Sequence, residues 1–364
     1  MIDLFRNWQN RLLSSPGFRR SAEKNVIGQW FARRYSVRMF RMAGGFIHTQ
    51  VLLSCVKLGV FERLSAGAVS VPELAAECGV EEGRLRHLLA AASALDLVSR
   101  RRRDRFALGP LGAAMLGNAS VLAFVRHHEV LYRDLDDPLA FFRGETQPAL
   151  AGLWAYAGSD GALSGEEVSD YTALMAESQA MVAEQVLAAF SFQRCRSLVD
   201  IGGGSGAFAR AVAERWSHLA ITVADLPAVA DIARNALRAS GLERRIDVVG
   251  LDASTDPIPG SYDVASLVRI VHDHSDDKAL EILKQARDAL APGGQLLLAE
   301  PVAANDAAGR LNDVYFQVYL LAMGSGRPRT RSELKSLLKQ AGFSTVRHHR
   351  TPVPLITSVF SASN

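Results

Sequence analysis

Apolar and amphipathic segments alternate through the second half of this chain, and that alternation constrains the fold more than any other feature. The apolar run 197–201 enters the glycine-rich sequence 202–206, and an amphipathic segment follows. Short apolar runs separated by helical patterns predict βαβ units, which assemble into the doubly wound parallel sheet of an α/β fold. The predicted strands are 197–201, 220–224, 245–249, 262–268, 294–300, 344–349 and 355–361, and the predicted helices are 205–216, 227–240, 276–291, 310–323 and 331–341.

Residues 46–108 show a second pattern, which predicts a winged helix. Apolar residues recur at helical spacing in 46–64, and two further helical segments with a glycine-containing turn between them occupy 71–95. Helix, turn and helix in this order form the helix-turn-helix pattern. The basic run 100–105 lies between two short apolar segments and predicts a β-hairpin wing.

Winged helices often bind DNA, but this one offers little for that role. Its second helix carries Glu81 and Glu82 beside its basic residues, and the rest of its surface is rich in alanine and leucine. A charged hairpin tip is usually only solvated. Segment 42–56 is too apolar to stay in water. We therefore expect this domain to form a homodimer and to bind no nucleic acid.

The net charge of the 364-residue chain is only +3, but its basic residues concentrate at the N-terminus. Residues 1–41 contain nine lysines or arginines and two acidic residues. The remainder is slightly acidic, which excludes a globally basic nucleic-acid binder. Aromatic and leucine side chains interleave with the N-terminal arginines. Such a segment either packs within a dimer or makes a peripheral contact with a membrane surface, and the sequence leaves both open.

Cysteine usage and hydropathy indicate where the protein works. Cys55, Cys78 and Cys195 are widely spaced and form no CxxC pair or metal-ligand group. This spacing favours a reducing compartment over a disulfide framework or a metal site. No apolar run approaches the roughly 18 residues needed to span a bilayer, and the N-terminus lacks the pattern of a secretory signal. We expect a cytoplasmic protein.

Carboxylates lie at or just beyond the ends of three successive predicted strands, at the edge where the glycine-rich loop lies. Glycines at this turn let a ligand approach the backbone, and helix N–H groups face its anionic part. Asp200 can orient an ammonium group, and Asp225 suits a ribose diol, although it would fit a nicotinamide dinucleotide equally well. Asp252, beside Ala253, can accept a hydrogen bond from an adenine amino group. Together the three carboxylates favour S-adenosylmethionine as the cofactor.

A histidine ends one of the apolar runs of this domain. Segment 264–271 leads directly into His272, and an amphipathic helix follows. In open parallel sheets, reactive groups lie just beyond the carboxyl ends of the strands. His272 is therefore the candidate proton acceptor. We expect the adjacent Asp273 to cap the following helix or to bond neighbouring backbone.

Five motifs of this chain resemble those of the metal-independent, plant-type small-molecule O-methyltransferases, and the resemblance covers essentially its whole length. The motifs are Leu198 to Gly206, Asp225-Leu226-Pro227, His272-Asp273, Pro292-Gly293-Gly294 and Ala341-Gly342-Phe343. The resemblance implies a homodimer with an N-terminal winged helix and a C-terminal Rossmann-like domain. The implied divisions are a basic helical arm (1–45), a winged-helix dimerisation domain (46–115), a helical substrate and linker region (116–190) and a Rossmann-like methyltransferase domain (191–364).

The same resemblance implies roles for particular residues, and no metal. His272 is the implied general base for the acceptor hydroxyl, and Glu300 its orienting carboxylate. Pro328 stands where many relatives carry glutamate, so a second carboxylate beside the histidine would have to come from elsewhere, with Asp313 as a candidate. The implied cofactor-binding residues are Asp200, Gly202, Gly204, Asp225, Leu226, Asp252, Ala253 and, mainly through its backbone, Arg269. The implied acceptor-site residues are His127, His128, Phe316 and Met323, together with Phe124, Tyr132, Tyr319 and Leu320.

Three segments, 50–55, 127–128 and 322–329, are most similar to bacterial members of the family that methylate the tertiary 1-hydroxyl of acyclic carotenoids. The resemblance thus implies a small apolar acceptor with one hydroxyl. Two alternatives stay open. One is a methyltransferase of the same fold that acts on a phenolic or tetrapyrrole acceptor, and the other is a winged-helix regulator with an inactive methyltransferase domain.

Overall fold

The computed structural model describes residues 2–18, 24, 26–155, 178–304 and 306–364. The chain divides into an N-terminal unit, Met1–Gly117, and a C-terminal unit, Asn118–Asn364. Part of the predicted substrate and linker region, residues 156–177, lies outside the described residues.

The N-terminal unit contains the predicted winged helix. Strands β1 (Val69–Ser70) and β2 (Val98–Arg101) both pair antiparallel with β3 (Arg105–Leu108). The helices of this unit are Ile2–Ser14, Val26–Ala43, Gly45–Lys57, Val60–Arg63, Val71–Cys78, Glu82–Ala94 and Pro110–Leu116.

Local sequence explains the helix-turn-helix of this unit. Helix Val71–Cys78 ends at Gly79, whose φ of +65° lies in the left-handed region that favours glycine. The next helix begins after Glu81, whose carboxylate accepts hydrogen bonds from the N–H groups of Gly83 and Arg84 at 2.8 and 2.9 Å. Glu81 thus serves as a helix cap.

The first two helices of the unit carry the basic arm, and they expose large apolar side chains. Trp8, Trp30, Phe40 and Met42 are all more than half exposed. Within the described ranges, no helix is both long and apolar enough to cross a membrane.

The C-terminal unit begins with helices and continues as a seven-stranded sheet. Its first helices are Ala119–Asp134, Pro138–Arg143, Ala149–Ala155 and residues 178–189. The strands are β4 (Ser197–Ile201), β5 (Ala220–Asp225), β6 (Ile246–Gly250), β7 (Tyr262–Val268), β8 (Leu290–Glu300), the paired β9 (Val302–Ala303) and β10 (Arg329–Thr330), β11 (Thr345–His349) and β12 (Ser358–Ser363). The remaining helices are Ala207–Arg215, Pro227–Ala239, Asp276–Asp288, Ala307–Met323 and Arg331–Gln340.

The sheet order is β11-β12-β8-β7-β4-β5-β6, which confirms the doubly wound α/β prediction. One strand departs from the expected parallel arrangement, because β12 runs antiparallel to both of its neighbours. Only residues 350–357 connect β11 to β12, whereas a parallel pair needs a crossover of about a dozen residues or more. The short connection therefore forces the last strand to return in the opposite direction.

Both faces of the central strands of the sheet are buried, and the strand order places the site. Leu198 packs into one apolar cluster and Val199 into the other, as expected when successive side chains point to opposite faces. The order reverses between β4 and β7, and ligands of doubly wound sheets bind beyond the carboxyl ends of the strands at such a switch point. The glycine-rich loop follows β4. Residues 270–274, which we call the His272 turn, follow β7.

Candidate active site

The glycine-rich loop after β4 adopts a backbone that requires glycine. Gly202 and Gly204 have φ values of +68° and +59°. A Cβ on Gly202 would overlap the side chain of Ile270, whereas a Cβ on Gly204 would meet nothing within 4 Å. Gly204 therefore borders open space, where a ligand can approach the backbone.

Asp200 presents an unsatisfied acceptor beside this loop. Its carboxylate is buried, and Oδ1 accepts a hydrogen bond from the Ser266 hydroxyl at 2.7 Å. Oδ2 finds no donor among the described residues. Burial raises the pKa of Asp200 to about 7, and the Asp225 charge adds to that rise while the Ser266 hydrogen bond opposes it. A buried carboxylate oxygen without a donor is suited to a ligand's ammonium group.

Asp225 ends β5 and ties two loops together. Its Oδ2 accepts a hydrogen bond from the Gly204 N–H and its Oδ1 from the Leu226 N–H, both at 2.7 Å. Burial raises the pKa of this carboxyl, and the two backbone hydrogen bonds oppose the rise. The expected ribose-binding carboxylate is thus fixed directly against the glycine-rich loop.

Asp252 lies in a turn after β6. Its Oδ1 accepts hydrogen bonds from the Ser254 N–H and hydroxyl at 2.9 and 2.6 Å. Burial acts to raise the pKa of Asp252, but the Ser254 hydrogen bonds and nearby positive charge outweigh it and lower the pKa. The carboxylate shapes this turn, and Ala253 lies within it.

His272 lies in the short 3₁₀ turn Val271–Asp273, immediately beyond β7, and is only 4% exposed. Glu300, at the end of β8, holds this turn from one side. Its Oε1 accepts hydrogen bonds from the N–H groups of Ile270 and Val271 at 3.1 and 2.7 Å, and its Oε2 lies 2.6 Å from His272 Nδ1. Glu300, the carboxylate for which the resemblance implied an orienting role, therefore contacts both the backbone of the turn and the His272 ring.

Asp273 corrects one expectation. It does not cap the following helix, because Ser275 does so by accepting a hydrogen bond from the Lys278 N–H. The buried Asp273 carboxylate instead lies 3.0 Å from His272 Nε2. The N-cap is the residue directly before the first helical turn, which is Ser275, and the 3₁₀ turn places Asp273 two positions earlier.

The second carboxylate beside His272 is therefore Asp273. The other candidate, Asp313, accepts a hydrogen bond from the Gln317 amide at 3.0 Å on the exposed side of its own helix. Burial raises the pKa of Asp273 to about 6, against the lowering effect of His272. The sequence signal was present in the adjacent His272-Asp273 pair, but the conformation of the turn decides whether the two side chains meet.

The electrostatics of His272 reflect its two carboxylates. Burial is the largest single influence and lowers its pKa, but Asp273 and Glu300 together outweigh burial, so the net pKa is raised. Arg269 opposes them with its positive charge. Arg269 itself has a φ of +59°, and its guanidinium donates to the Ser178 hydroxyl at 3.2 Å. Its backbone N–H donates to Ala299, as part of the sheet edge.

Two histidine–tyrosine pairs join helix Ala119–Asp134 to helix Ala307–Met323. His127 Nε2 lies 2.7 Å from the Tyr319 hydroxyl, and His128 Nε2 lies 3.2 Å from the Tyr315 hydroxyl. Burial is the first cause that lowers the pKa of His127 to about 4, and burial also lowers the pKa of His128. Both rings are thus neutral near neutral pH.

Phe316 connects the two histidine–tyrosine pairs to the His272 turn, since its ring centroid lies 5.7 Å from that of His272. Met323 is only 6% exposed and packs with Leu131 and Phe141 in an apolar cluster of the same unit. Tyr315 was missed by sequence reasoning. Its spacing of four residues from Tyr319 on one helix face was the available signal.

Among the described residues, no three His, Cys, Asp or Glu side chains are grouped so that they could hold a metal ion.

The fold and this strand-end site define an S-adenosylmethionine-dependent methyltransferase. Residues 132–344 match the O-methyltransferase domain, and residues 40–118 match the O-methyltransferase dimerisation domain. The chain belongs to the O-methyltransferase family, which makes it an enzyme and displaces the interpretation as a regulator.

The curated relatives extend over nearly the whole chain. Demethylspheroidene O-methyltransferase of Cereibacter sphaeroides is 38% identical over 97% of this chain and 93% of its own length. The enzyme of the same description from Rhodobacter capsulatus is 38% identical over 98% of this chain and 89% of its own length.

Solved structures share the fold. Human N-acetylserotonin methyltransferase, solved in complex with S-adenosylmethionine, has a TM-score of 0.75 at 24% identity, covering 90% of this chain and 97% of that chain. The pyocyanin biosynthetic protein PhzM has a TM-score of 0.77 at 21% identity, covering 91% of this chain and 99% of that chain.

S-adenosylmethionine is the cofactor of this family, and the residues of this chain fit it. Asp200 keeps a buried acceptor oxygen unsatisfied, and Gly204 leaves open space at the loop. Asp225 ends β5, and Asp252 lies in the turn that follows β6. These residues, with Gly202, Leu226 and Ala253, are the ones that would hold the cofactor.

Proposed function

We propose that this enzyme methylates the tertiary 1-hydroxyl of an acyclic carotenoid, with His272 as the general base. The observation that carries the proposal is the position of His272. One ring nitrogen of His272 is 2.6 Å from the buried Glu300 carboxylate, and the ring packs in a T-shaped arrangement against Phe316. The nearby His127 and His128 bear no charge near neutral pH.

The base assignment follows from which nitrogen of His272 is held. Glu300 contacts Nδ1, which leaves Nε2 to accept a proton from an acceptor hydroxyl. Asp273 contacts Nε2, so the acceptor hydroxyl has to displace that carboxylate or share the nitrogen with it. Once protonated, the imidazolium lies between two carboxylates, which stabilise its charge in a buried site.

Orientation and proton transfer share the work of the reaction. Bound S-adenosylmethionine supplies an electrophilic methyl group. Holding the two reactants in line contributes about 7–11 kcal/mol, whereas a general base contributes about 10²–10⁴-fold in rate. A tertiary alcohol is far less acidic than a phenol, so its deprotonation depends more strongly on His272.

The acceptor side favours a neutral, apolar molecule. His127 is buried and His128 is half-buried, both are uncharged near neutral pH, and each contacts a tyrosine hydroxyl. A long isoprenoid with one hydroxyl needs an apolar channel with a polar end, and the histidine–tyrosine pairs supply that polar end. The relatives at 38% identity are described as demethylspheroidene O-methyltransferases, which supports a carotenoid acceptor.

A radiolabelled-methyl assay tests the acceptor class. Wild-type enzyme is incubated with labelled S-adenosylmethionine and one class of acceptor at a time. The acceptors are 1-hydroxylated acyclic carotenoids in detergent, simple phenols and a porphyrin. We expect label in the carotenoid products alone. Label in a phenol or the porphyrin, with none in any carotenoid, would overturn the proposed acceptor.

We also propose that the protein is a cytoplasmic homodimer whose basic arm contacts the membrane that holds its substrate. All three cysteines are free thiols, as is usual in a reducing compartment. The arm combines exposed tryptophans with an excess of arginine, and such segments bind anionic lipid surfaces.

Sedimentation with lipid vesicles tests the membrane contact. We expect the protein to bind phosphatidylglycerol vesicles, to bind phosphatidylcholine vesicles weakly, and to lose binding in the double variant Trp8→Ser, Trp30→Ser. The matched control is Phe142→Ser, which removes a similarly exposed aromatic ring outside the arm. Equal binding by both variants, or no preference for the anionic lipid, would contradict the proposal.

A further inference from the structure

The carbonyl groups of the His272 turn are held by a second segment of the chain, Ser325–Arg329. The His272 carbonyl accepts a hydrogen bond from the Arg327 N–H at 2.9 Å, and the Asp273 carbonyl accepts one from the Ser325 hydroxyl at 2.6 Å. The carbonyls of Val271 and His274 accept hydrogen bonds from the Arg329 guanidinium at 2.5 and 2.8 Å. Four consecutive carbonyls are thus bound by one short segment.

Arg329 is the centre of this contact. It is only 2% exposed, although it carries a charge. Its Nε and Nη2 donate to Asp276 Oδ1 at 2.8 and 2.7 Å, while the remaining donors reach the two turn carbonyls. A planar guanidinium can serve three acceptors in fixed directions, which a lysine ammonium cannot reproduce.

Gly326 brings the segment into close contact with the turn. Its φ is +83°, and a Cβ at this position would overlap the carbonyl oxygen of His272. The segment then enters β10, which pairs in parallel with β9, and β9 begins just after Glu300. The same strand pair therefore connects the residue that holds the imidazole to the segment that holds the carbonyls.

We propose that Arg329 is a positioning residue that, with Ser325, fixes the His272 turn through its carbonyl groups. Glu300 holds the N–H groups of the turn and the ring, and the Ser325–Arg329 segment holds its carbonyls. This arrangement keeps the Asp273 carboxylate against His272 Nε2. Asp273 thereby supplies the second carboxylate that Pro328 cannot supply. The proposal rests on the assignment of His272 as the base.

The test compares Arg329→Lys, Arg329→Met and Ser325→Ala with Arg287→Met. Arg287 is a matched control, because it also donates to one backbone carbonyl (Ala341, 2.6 Å) and to one aspartate (Asp288), away from the turn. Each folded variant is assayed for turnover with a 1-hydroxylated acyclic carotenoid, for S-adenosylmethionine affinity by calorimetry, and for the pH profile of kcat. His272→Ala is assayed beside them.

We expect kcat of the Arg329 variants to fall by about 10- to 100-fold, because small displacements of a catalytic group cost that much. Cofactor affinity should stay within about twofold of wild type. Ser325→Ala should show a smaller loss of the same kind. The acid limb of the kcat profile should move to lower pH, because His272 is no longer held between two carboxylates. Arg287→Met should change none of these quantities.

If Arg329→Lys and Ser325→Ala both fold and both keep wild-type kcat and its pH profile, the proposal is wrong. Should Arg329→Met fail to fold, those two variants decide the question. If they keep full kcat while His272→Ala is inactive, the positioning role fails and the base assignment stands. If His272→Ala also keeps its activity, the base assignment itself fails.

Discussion

At the scale of single residues, His272 has a carboxylate at each ring nitrogen, with Glu300 at 2.6 Å from Nδ1 and Asp273 at 3.0 Å from Nε2. Neutral imidazole carries one N–H, so these two contacts favour the protonated ring. The base therefore becomes available only as pH rises through its raised pKa. The two carboxylates therefore keep His272 protonated at low pH, where it cannot act as a base, and they stabilise the imidazolium that forms in the reaction.

Replacing one of the two carboxylates tests this account. In Asp273→Asn the pKa of His272 should fall, since one of the two carboxylate charges that raise it is gone. The acid limb of log kcat/KM should therefore move to lower pH. The plateau should drop on the order of tenfold, a part of the 10²–10⁴-fold that a positioned base contributes. Initial rates across pH measure both effects, and an unmoved limb would show that Asp273 does not act on His272.

Asp200 should couple cofactor binding to a proton. Its pKa is raised to about 7, so the carboxyl of the unliganded protein is largely protonated below that pH. A ligand ammonium group favours the carboxylate, so binding should release a proton and affinity should rise between about pH 6 and pH 8. Calorimetry in buffers of different ionisation enthalpy measures this release.

Two variants complete that measurement. Asp200→Asn should weaken binding and abolish the proton release. Asp263→Asn should leave both unchanged, because the Asp263 carboxylate accepts a hydrogen bond from the Arg196 N–H at the start of the neighbouring strand. Proton release that persists in Asp200→Asn would assign the titration to another group.

The residues of this site were predictable from sequence to the extent that strand ends fix their positions. Asp200, Asp225 and His272 lie at or just beyond the ends of apolar runs, and the structure places all three at the carboxyl ends of parallel strands. The inward turn of Asp273 and the role of Arg329 were not predictable. Both depend on a three-residue turn and on a contact with a segment more than fifty positions away.

At the scale of elements, the glycine-rich loop allows a controlled comparison. Gly204 and Gly241 have φ values of +59° and +70°, and a Cβ at either position would meet nothing within 4 Å. Alanine at either position should cost a similar 1–2 kcal/mol or so of stability, because both backbones are left-handed. Only Gly204→Ala should also weaken S-adenosylmethionine binding, since its methyl group enters the expected cofactor space.

Thermal unfolding and calorimetry of both glycine variants measure these effects. Equal Tm shifts with unequal cofactor affinity are the expected result. If Gly204→Ala binds the cofactor as tightly as Gly241→Ala, the loop does not contact the ligand as we describe.

The bounds of the strands were also predictable from apolar runs, whereas the direction of one strand was not. Strands β4 and β7 have the predicted bounds, because their runs are apolar on both faces. Direction was the property that sequence periodicity could not supply for β12. An apolar run looks alike in parallel and antiparallel pairs, and the length of the preceding connection decides the direction.

At the scale of the whole molecule, the dimerisation domain exposes an apolar surface in the single chain. Phe40, Met42, Phe46 and Ile47 are each at least half exposed on successive helices, and they lie within the range that matches the dimerisation domain. Large apolar side chains exposed close together in sequence are usually covered by a partner in soluble proteins. The expected cover is a second copy of the chain.

A charge on that surface should dissociate the dimer. Phe46→Asp places a carboxylate where apolar contacts are expected, and burying it unpaired would be unfavourable. Analytical ultracentrifugation should show a dimer for wild type and a monomer for the variant. Phe142→Asp, at a similarly exposed phenylalanine of the C-terminal unit, is the control and should stay dimeric. A dimeric Phe46→Asp would place the interface elsewhere.

The proposed removal of the acceptor proton by His272 is tested most directly by the turnover of His272→Ala, measured together with its affinity for S-adenosylmethionine. His349→Ala is the control, since that ring contacts Ser361 at the sheet edge. We expect unchanged cofactor affinity, full activity in the control and a loss of turnover of about 10²–10⁴-fold, the contribution of a general base. Turnover above about a tenth of the wild-type rate in folded His272→Ala would contradict the proposed role of His272.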